Sequence, residues 1–284
     1  MAKVLSISSQ VVYGHVGNSS AAFVMQRMGH EVLSLPTVLL SNRPGYGAIA
    51  GECIDAGKLD AFLAAISENG WLDGLDAVLT GYVPTPGHAA LCANWIARIK
   101  TRNADAFYLC DPIIGDEPAG IYISEEAASA MHARLVPLAD VITPNCFELA
   151  WLSGRAIPDA PAAARAARSL PVALALITSA PAGALDKLAN MLVDSASAVA
   201  TVCRRETVHA RGTGDFFAAI FLAHRLNGLD NRTALQASTA AMSLVLAASQ
   251  GCAELKLIET QALWAASDPP LAPLAALPGL PAGS

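Results

Sequence analysis

Short, continuously apolar runs alternate along this chain with longer stretches of helical spacing. Residues 4–8, 32–35, 77–80, 107–110, 141–143 and 172–178 are brief, nearly all apolar, and end at Gly, Pro, Ser or Asn. Those are marks of strands buried on both faces. Residues 19–28, 58–68, 88–100, 125–135, 145–152 and 162–169 repeat apolar side chains at i, i+3, i+4 and are predicted helices. Ser19, Ser124 and Asn145 are candidate N-caps, and Gly29, Gly70 and Gly154 candidate stops. The alternation predicts an α/β fold with a mainly parallel sheet covered by helices on both faces. Residues 191–193 and 198–203 read as a late antiparallel edge pair, followed by two long helices over 214–227 and 231–248. With no repeat or composition break, 1–267 is expected to be one domain. Residues 268–284, holding five prolines, are expected to form an extended or mobile tail.

Composition narrows the class. The chain has 284 residues, 54% hydrophobic and 15% charged, enough to bury a core without disulfides or a structural metal and too apolar for a disordered chain. Mean hydropathy is +0.42, but much of it comes from alanine, and the richest run, 240–248, is too short to span a bilayer and closes with Ser249-Gln250-Gly251. A soluble protein with no membrane partner is expected. Eighteen Lys+Arg against 24 Asp+Glu give a net charge of −6, which argues against nucleic acid as a partner. Cys53, Cys92, Cys110, Cys146, Cys203 and Cys252 form no CxxC pair, and the start is not signal-like, so reduced thiols in the cytoplasm are expected. The six histidines lack metal-ligand spacing, and no P-loop or GxSxG elbow is present.

Open parallel sheets bind ligands beyond the carboxyl ends of their strands, and the polar groups expected there are specific. Gly212-Thr213-Gly214-Asp215 opens an apolar helix. Its glycines allow close backbone approach, its free amides suit a phosphoryl group, and Asp215 is placed to accept a proton from a hydroxyl. An ordinary helix start capped by Thr213 fits the same letters. Asp111-Pro112-Ile113-Ile114-Gly115-Asp116 follows a strand; its carboxylates can hold Mg²⁺ through water beside nucleotide phosphates, or simply form a turn. Asn145 and Glu148 have the spacing of a capping box, which alone accounts for them, or they stand near phosphate and metal. Residues 8–18 and Thr80-Gly81-Tyr82 add polar groups and an aromatic wall after two further strands.

Taken in order, residues 9–18, 40–46, 80–82, 111–116, 143–148 and 212–215 resemble the signatures of the pyridoxal kinases of the ribokinase superfamily, over most of residues 3–250. The resemblance implies a ribokinase-like three-layer α/β/α sandwich, commonly a homodimer, that uses ATP to phosphorylate the 5′-hydroxymethyl group of pyridoxal, pyridoxine or pyridoxamine. It implies Asp215 as general base, with the amides of Gly212, Thr213 and Gly214 stabilising the transferred phosphoryl group. Asp111, Asn145 and Glu148 match positions around the nucleotide phosphates and Mg²⁺, with Asp116 a further metal candidate. Thr143, Thr178 and Ser179 match positions near a monovalent cation such as K⁺ and the nucleotide. Ser9 matches a residue bonding the pyridine ring, and Val16 and Tyr82 match contacts lining its pocket.

The sequence also departs from that family. Pro44 stands where a threonine bonds substrate, Arg43 where histidine is usual, Gln10 where histidine follows the matching serine, and Arg211 where an apolar residue is usual. Pro44 supplies neither a hydroxyl nor an N–H, and Arg211 offers a guanidinium to the γ-phosphate or alters which ring fits. Two alternatives follow: a hydroxymethylpyrimidine kinase of the same superfamily, whose relatives usually carry cysteine at the position of Asp215, and a vitamer-binding relative that has lost transfer.

Overall fold

The computed structural model describes residues 1–206 and 210–279. Among these, ten strands form one sheet, beginning with β1 (Lys3–Tyr13), β2 (Glu31–Asn42), β3 (Gly51–Cys53), β4 (Ala77–Thr80) and β5 (Phe107–Cys110). After a small hairpin of β6 (Gly115–Asp116) and β7 (Gly120–Ile121), the sheet resumes with β8 (Val141–Ile142), β9 (Leu174–Pro181), β10 (Lys187–Val193), β11 (Ala198–Arg204) and β12 (Leu274–Ala275). Strand order is β12-β11-β10-β9-β8-β5-β4-β1-β2-β3. The central run from β9 through β8, β5, β4 and β1 to β2 is parallel, and the remaining pairs are antiparallel.

Side-chain alternation builds two cores. Leu5, Val78, Tyr108, Ile142 and Ile177 face one layer of helices, while Val4, Leu79, Leu109, Val141 and Leu176 face the other, as the two-residue strand period requires. The first layer is α2 (Ala56–Glu68), α3 (Pro86–Arg102), α4 (Glu125–Arg134), α5 (Cys146–Ser153) and α6 (Ala160–Ala167); the second is α1 (Asn18–Arg27), α7 (Thr213–Leu226), α8 (Asn231–Ala248) and α9 (Leu257–Trp264). Helix α7 is buried at every residue from Phe216 to His224, and Trp264 meets Phe216 and Phe23 edge-on, with ring centroids 5.7 and 5.9 Å apart. Packing of this kind holds the start of α7 to the sheet. No helix among the described residues is long and apolar enough to cross a membrane.

Ser124 and Asn145 cap their helices as expected, and Gly29, Gly70 and Gly154 follow helix ends with positive φ. Ser19 does not cap: α1 starts one residue earlier behind Gly17, and the Ser19 hydroxyl donates to the Val11 carbonyl at 2.8 Å. The first strand continues to Tyr13, pairing with β2 past a register shift between Ser8 and Gln10 after its pairing with β4 ends at Ile7. A bulge of this kind re-aims the side chains beyond it. The late β pair is antiparallel as expected. In the tail, Leu274–Ala275 pairs with β11 and Leu277 is buried, so this part lies against the sheet; residues 280–284 of the tail lie outside the described residues.

Candidate active site

The carboxyl ends of β1, β4, β5, β8 and β9 lie along one edge of the sheet, and α7 begins against them. Gly212 precedes that helix with φ +94°, and a Cβ there would overlap the His15 carbonyl oxygen. Only glycine fits. Gly212, not Thr213, is the N-cap, with no side-chain cap bond. The amides of Thr213 and Gly214 therefore have no helical partner and carry the positive end of the helix dipole.

Asp215, in the first turn of α7, shares a small pocket with Ser8, Ala21, Leu79, Gly81, Asp111 and Ala218. Burial pushes its carboxyl up to about 6, against the opposing pull of the Gly17 backbone amide. Asp111, directly after β5, is buried; burial and the nearby Asp215 charge raise it to about 7, although the Thr143 hydroxyl donates to it at 2.7 Å. Two carboxylates raised by burial, Asp111 further by the charge of Asp215, are a site ready for positive charge or for holding protons.

Asn145 and Glu148 form the full capping box. The Asn145 side chain accepts from the Glu148 amide, and the Asn145 amide donates to Glu148 Oε2, both at 2.9 Å. The structural reading of this pair is therefore correct, and it extends further. Glu148 Oε1 also accepts from the amides of Ile114 at 3.0 Å and Gly115 at 3.4 Å, and Asn145 Nδ2 donates to the Gly115 carbonyl at 2.8 Å. The box thus ties α5 to the loop bearing Asp111 and Asp116. Glu148 is buried, and burial followed by the Asp111 charge holds its carboxyl well above the usual range.

Asp116 is turned toward Arg211: the guanidinium reaches its Oδ2 at 2.8 Å, while its Oδ1 is buried with no hydrogen-bond partner among the described residues. Tyr122 lies beside it, its phenol held well above its ordinary range by burial and by Asp116. Thr178, within β9, bridges to Asn145, and Ser179 follows with φ +59°. Among the described residues, no three His, Cys, Asp or Glu side chains gather as a metal cage. Mg²⁺ is commonly held by one or two carboxylates together with phosphates and water and needs no such cage. Asp111, buried and with its proton affinity raised beside Asp215, fits such an ion.

On the β1 side, Ser9 packs against Gly17, where any Cβ would overlap the Ser9 oxygens, and Val16 lies beside Gly212. Tyr82 is half-buried, its amide donating to the Ser8 hydroxyl at 3.0 Å. Arg43 is not free to reach a ligand: its Nε donates to Glu254 at 3.0 Å and its guanidinium lies 4.4 Å over the Tyr46 ring. Sequence reading did not single out Glu254, the Gly17 amide or the Ile114 and Gly115 amides. The one available signal was a lone acid within the apolar run around Ala253 and Leu255. A broader groove between α2 and α3, lined by Ser67, Trp95, Arg98 and Arg102, shares no residue with this cleft.

Residues 24–255 match the family described as phosphomethylpyrimidine kinase. The chain is 38% identical over 274 residues to a pyridoxal kinase, PdxY, of Leifsonia xyli subsp. xyli, covering 93% of this chain and 95% of that one. It superposes with a TM-score of 0.89 and 28% identity on the pyridoxal kinase of Leishmania donovani in complex with ADP and pyridoxamine, covering 98% of this chain and 100% of that one. A pyridoxal kinase from Entamoeba histolytica shares the fold, with a TM-score of 0.90 at 24% identity over 97% of this chain and 99% of that one.

Proposed function

This chain belongs to the pyridoxal kinases of the ribokinase superfamily, and from that membership we propose how its residues perform ATP-dependent phosphorylation of a B6 vitamer at the 5′-hydroxymethyl group. One observation carries the assignment of roles: a partly buried carboxylate, Asp215, sits in the first turn of a helix whose free amides open onto the strand ends. Its raised proton affinity brings it nearer neutral pH, where a base can both be ionised and still take a proton from an alcohol.

In this reading the vitamer hydroxyl lies between Asp215 and the γ-phosphate. Asp215 accepts the hydroxyl proton as the oxygen attacks in line. The amides of Thr213 and Gly214, with the Gly212 turn behind them, oppose the charge on the moving phosphoryl group. Asp111 and Asp116 would hold Mg²⁺, which when bound offsets phosphate charge. Thr143 orients Asp111 through its 2.7 Å bond, and the Ile114 and Gly115 amides on Glu148 fix the segment that carries both aspartates. Thr178 and Ser179 stand at the nucleotide and monovalent-cation side. Ser9, Val16 and Tyr82 line the ring pocket, and Pro44 leaves one polar ring contact unmade.

The test is ADP release with pyridoxal, pyridoxine, pyridoxamine and hydroxymethylpyrimidine offered separately. Turnover with at least one B6 vitamer, exceeding that with hydroxymethylpyrimidine, is expected. Preference for the pyrimidine, or tight vitamer binding without ADP release, overturns the reading.

A further inference from the structure

One buried charge cluster lies outside the transfer machinery. Glu254 follows α8, and its Oε1 accepts from Arg43 Nε at 3.0 Å and from the Tyr46 hydroxyl. Its Oε2 accepts from the His15 amide at 3.0 Å. The other Arg43 nitrogens donate to the carbonyls of Ala253 at 2.9 Å and Pro44 at 3.2 Å. The Arg43 and Glu254 side chains retain only 9% and 14% exposure, and Tyr13 closes edge-on against Tyr46 with centroids 5.8 Å apart.

The cluster joins three segments far apart in the chain, at residues 13–15, 43–46 and 253–254. The first of these leads into the bridge between β1 and α1. Gly14, at φ +112°, brings the backbone so close that a Cβ would stand 3.0 Å from Glu254 Oε2. One residue on, the His15 carbonyl fills the space where Gly212 would need a side chain, Val16 flanks it, and Gly17 turns its amide to Asp215. A carboxylate on one side of this bridge and the glycine turn on the other leave it no room to shift.

We propose that Glu254, held by Arg43, is a positioning residue that locks residues 14–17 against the Gly212 turn and so fixes the wall between the vitamer pocket and the transfer site. The lock stands on geometry alone; its effect on vitamer affinity rests on the kinase reading. Glutamine cannot replace Glu254, because its single carbonyl oxygen serves either Arg43 and Tyr46 or the His15 amide, not both sets. Removing the charge also strands a buried guanidinium.

The experiment follows amide hydrogen exchange of a peptide spanning residues 9–18, together with steady-state kinetics, in wild type, Glu254→Gln and Tyr46→Phe. The last variant keeps the ion pair and decides the question if Glu254→Gln does not fold. Exchange at residues 14–18 is expected to rise at least tenfold in Glu254→Gln while β4 and β5 amides hold their rates. KM for pyridoxal is expected to rise fivefold or more, with KM for ATP within twofold. Tyr46→Phe shifts both readouts in the same direction by a smaller factor. Unchanged exchange at 14–18 overturns the lock, and an equal rise in both KM values overturns its bearing on the vitamer. A wild type that turns over no vitamer overturns the proposed function, while exchange still decides the lock.

Discussion

The two walls of the cleft are built by opposite strategies. The transfer wall starts from short local motifs: Gly212 to Asp215 opens its own helix, and Asn145 with Glu148 makes its own cap. Longer-range bonds to Gly17, Ile114 and Gly115 then complete them. The ring-facing wall has no such autonomy. Its loop at 14–17 is held by Glu254, 239 residues away, and Arg43 meets the same carboxylate across 211 residues. Chemistry that needs fixed amides and a fixed base is written into consecutive residues, while the shape that admits a particular ring is assembled from remote ones. Substitutions should therefore act differently on the two sides.

The largest effect belongs to the transfer wall. Asp215→Ala is expected to lower kcat by ~10²–10⁴-fold, the usual contribution of a general base, with nucleotide binding within a few fold and the thermal transition retained. Near-normal turnover would dissolve the distinction between the walls, because it would leave the glycine turn as an ordinary helix start.

Next comes Asp111. Its carboxyl is raised to about 7 from an ordinary value near 3.8, so between about pH 4 and 7 the unfolded chain binds fewer protons than the folded one. Stability of the free protein thus falls as pH rises through that window. Asp111→Asn keeps an acceptor for Thr143 and removes the charge. It should stabilise the ligand-free protein by ~1–3 kcal/mol at pH 8, with the gain vanishing below about pH 4, while lowering turnover at limiting Mg²⁺. Denaturant titrations at the two pH values check this, and a loss of stability at pH 8 would mean the site is not charge-strained.

The smallest effect is at the rim. Arg211 and Asp116 are half-exposed partners, so Arg211→Val should change stability by less than about 1 kcal/mol. If the guanidinium also meets nucleotide, KM for ATP rises without a matching rise for the vitamer. A rise confined to the vitamer would move Arg211 to the ring-facing wall.

This division also explains what could be read from the chain. Central strands, the Gly212 turn and the Asn145–Glu148 cap were legible because each is a local pattern of burial or spacing. Residues 9–13 read as lying beyond the first strand because Ser9 and Gln10 interrupt the apolar run, yet β2 continues to pair with this segment past the bulge. Three residues of β3 and two of β12 are too short for any period to show, and they exist because a neighbouring edge offers hydrogen bonds. Helix α9 was missed where its apolar positions mix with Glu259, Thr260 and Gln261. Glu254 has no neighbouring partner in sequence, so only folding shows what it holds. Arg43 and Arg211 were visible as departures, but their partners, Glu254 and Asp116, were not.

The claim beneath both walls is that a partly buried Asp215 must be ionised for the hydroxyl to attack. The direct measurement is kcat/KM for the vitamer at saturating ATP and Mg²⁺ from pH 4.5 to 9, corrected for titration of the vitamer itself. An acid limb with an apparent pKa of about 6, falling tenfold per pH unit below it, is the result expected. A rate that stays level down to pH 5 would contradict it, because the group taking the proton would then not have the proton affinity that burial gives Asp215.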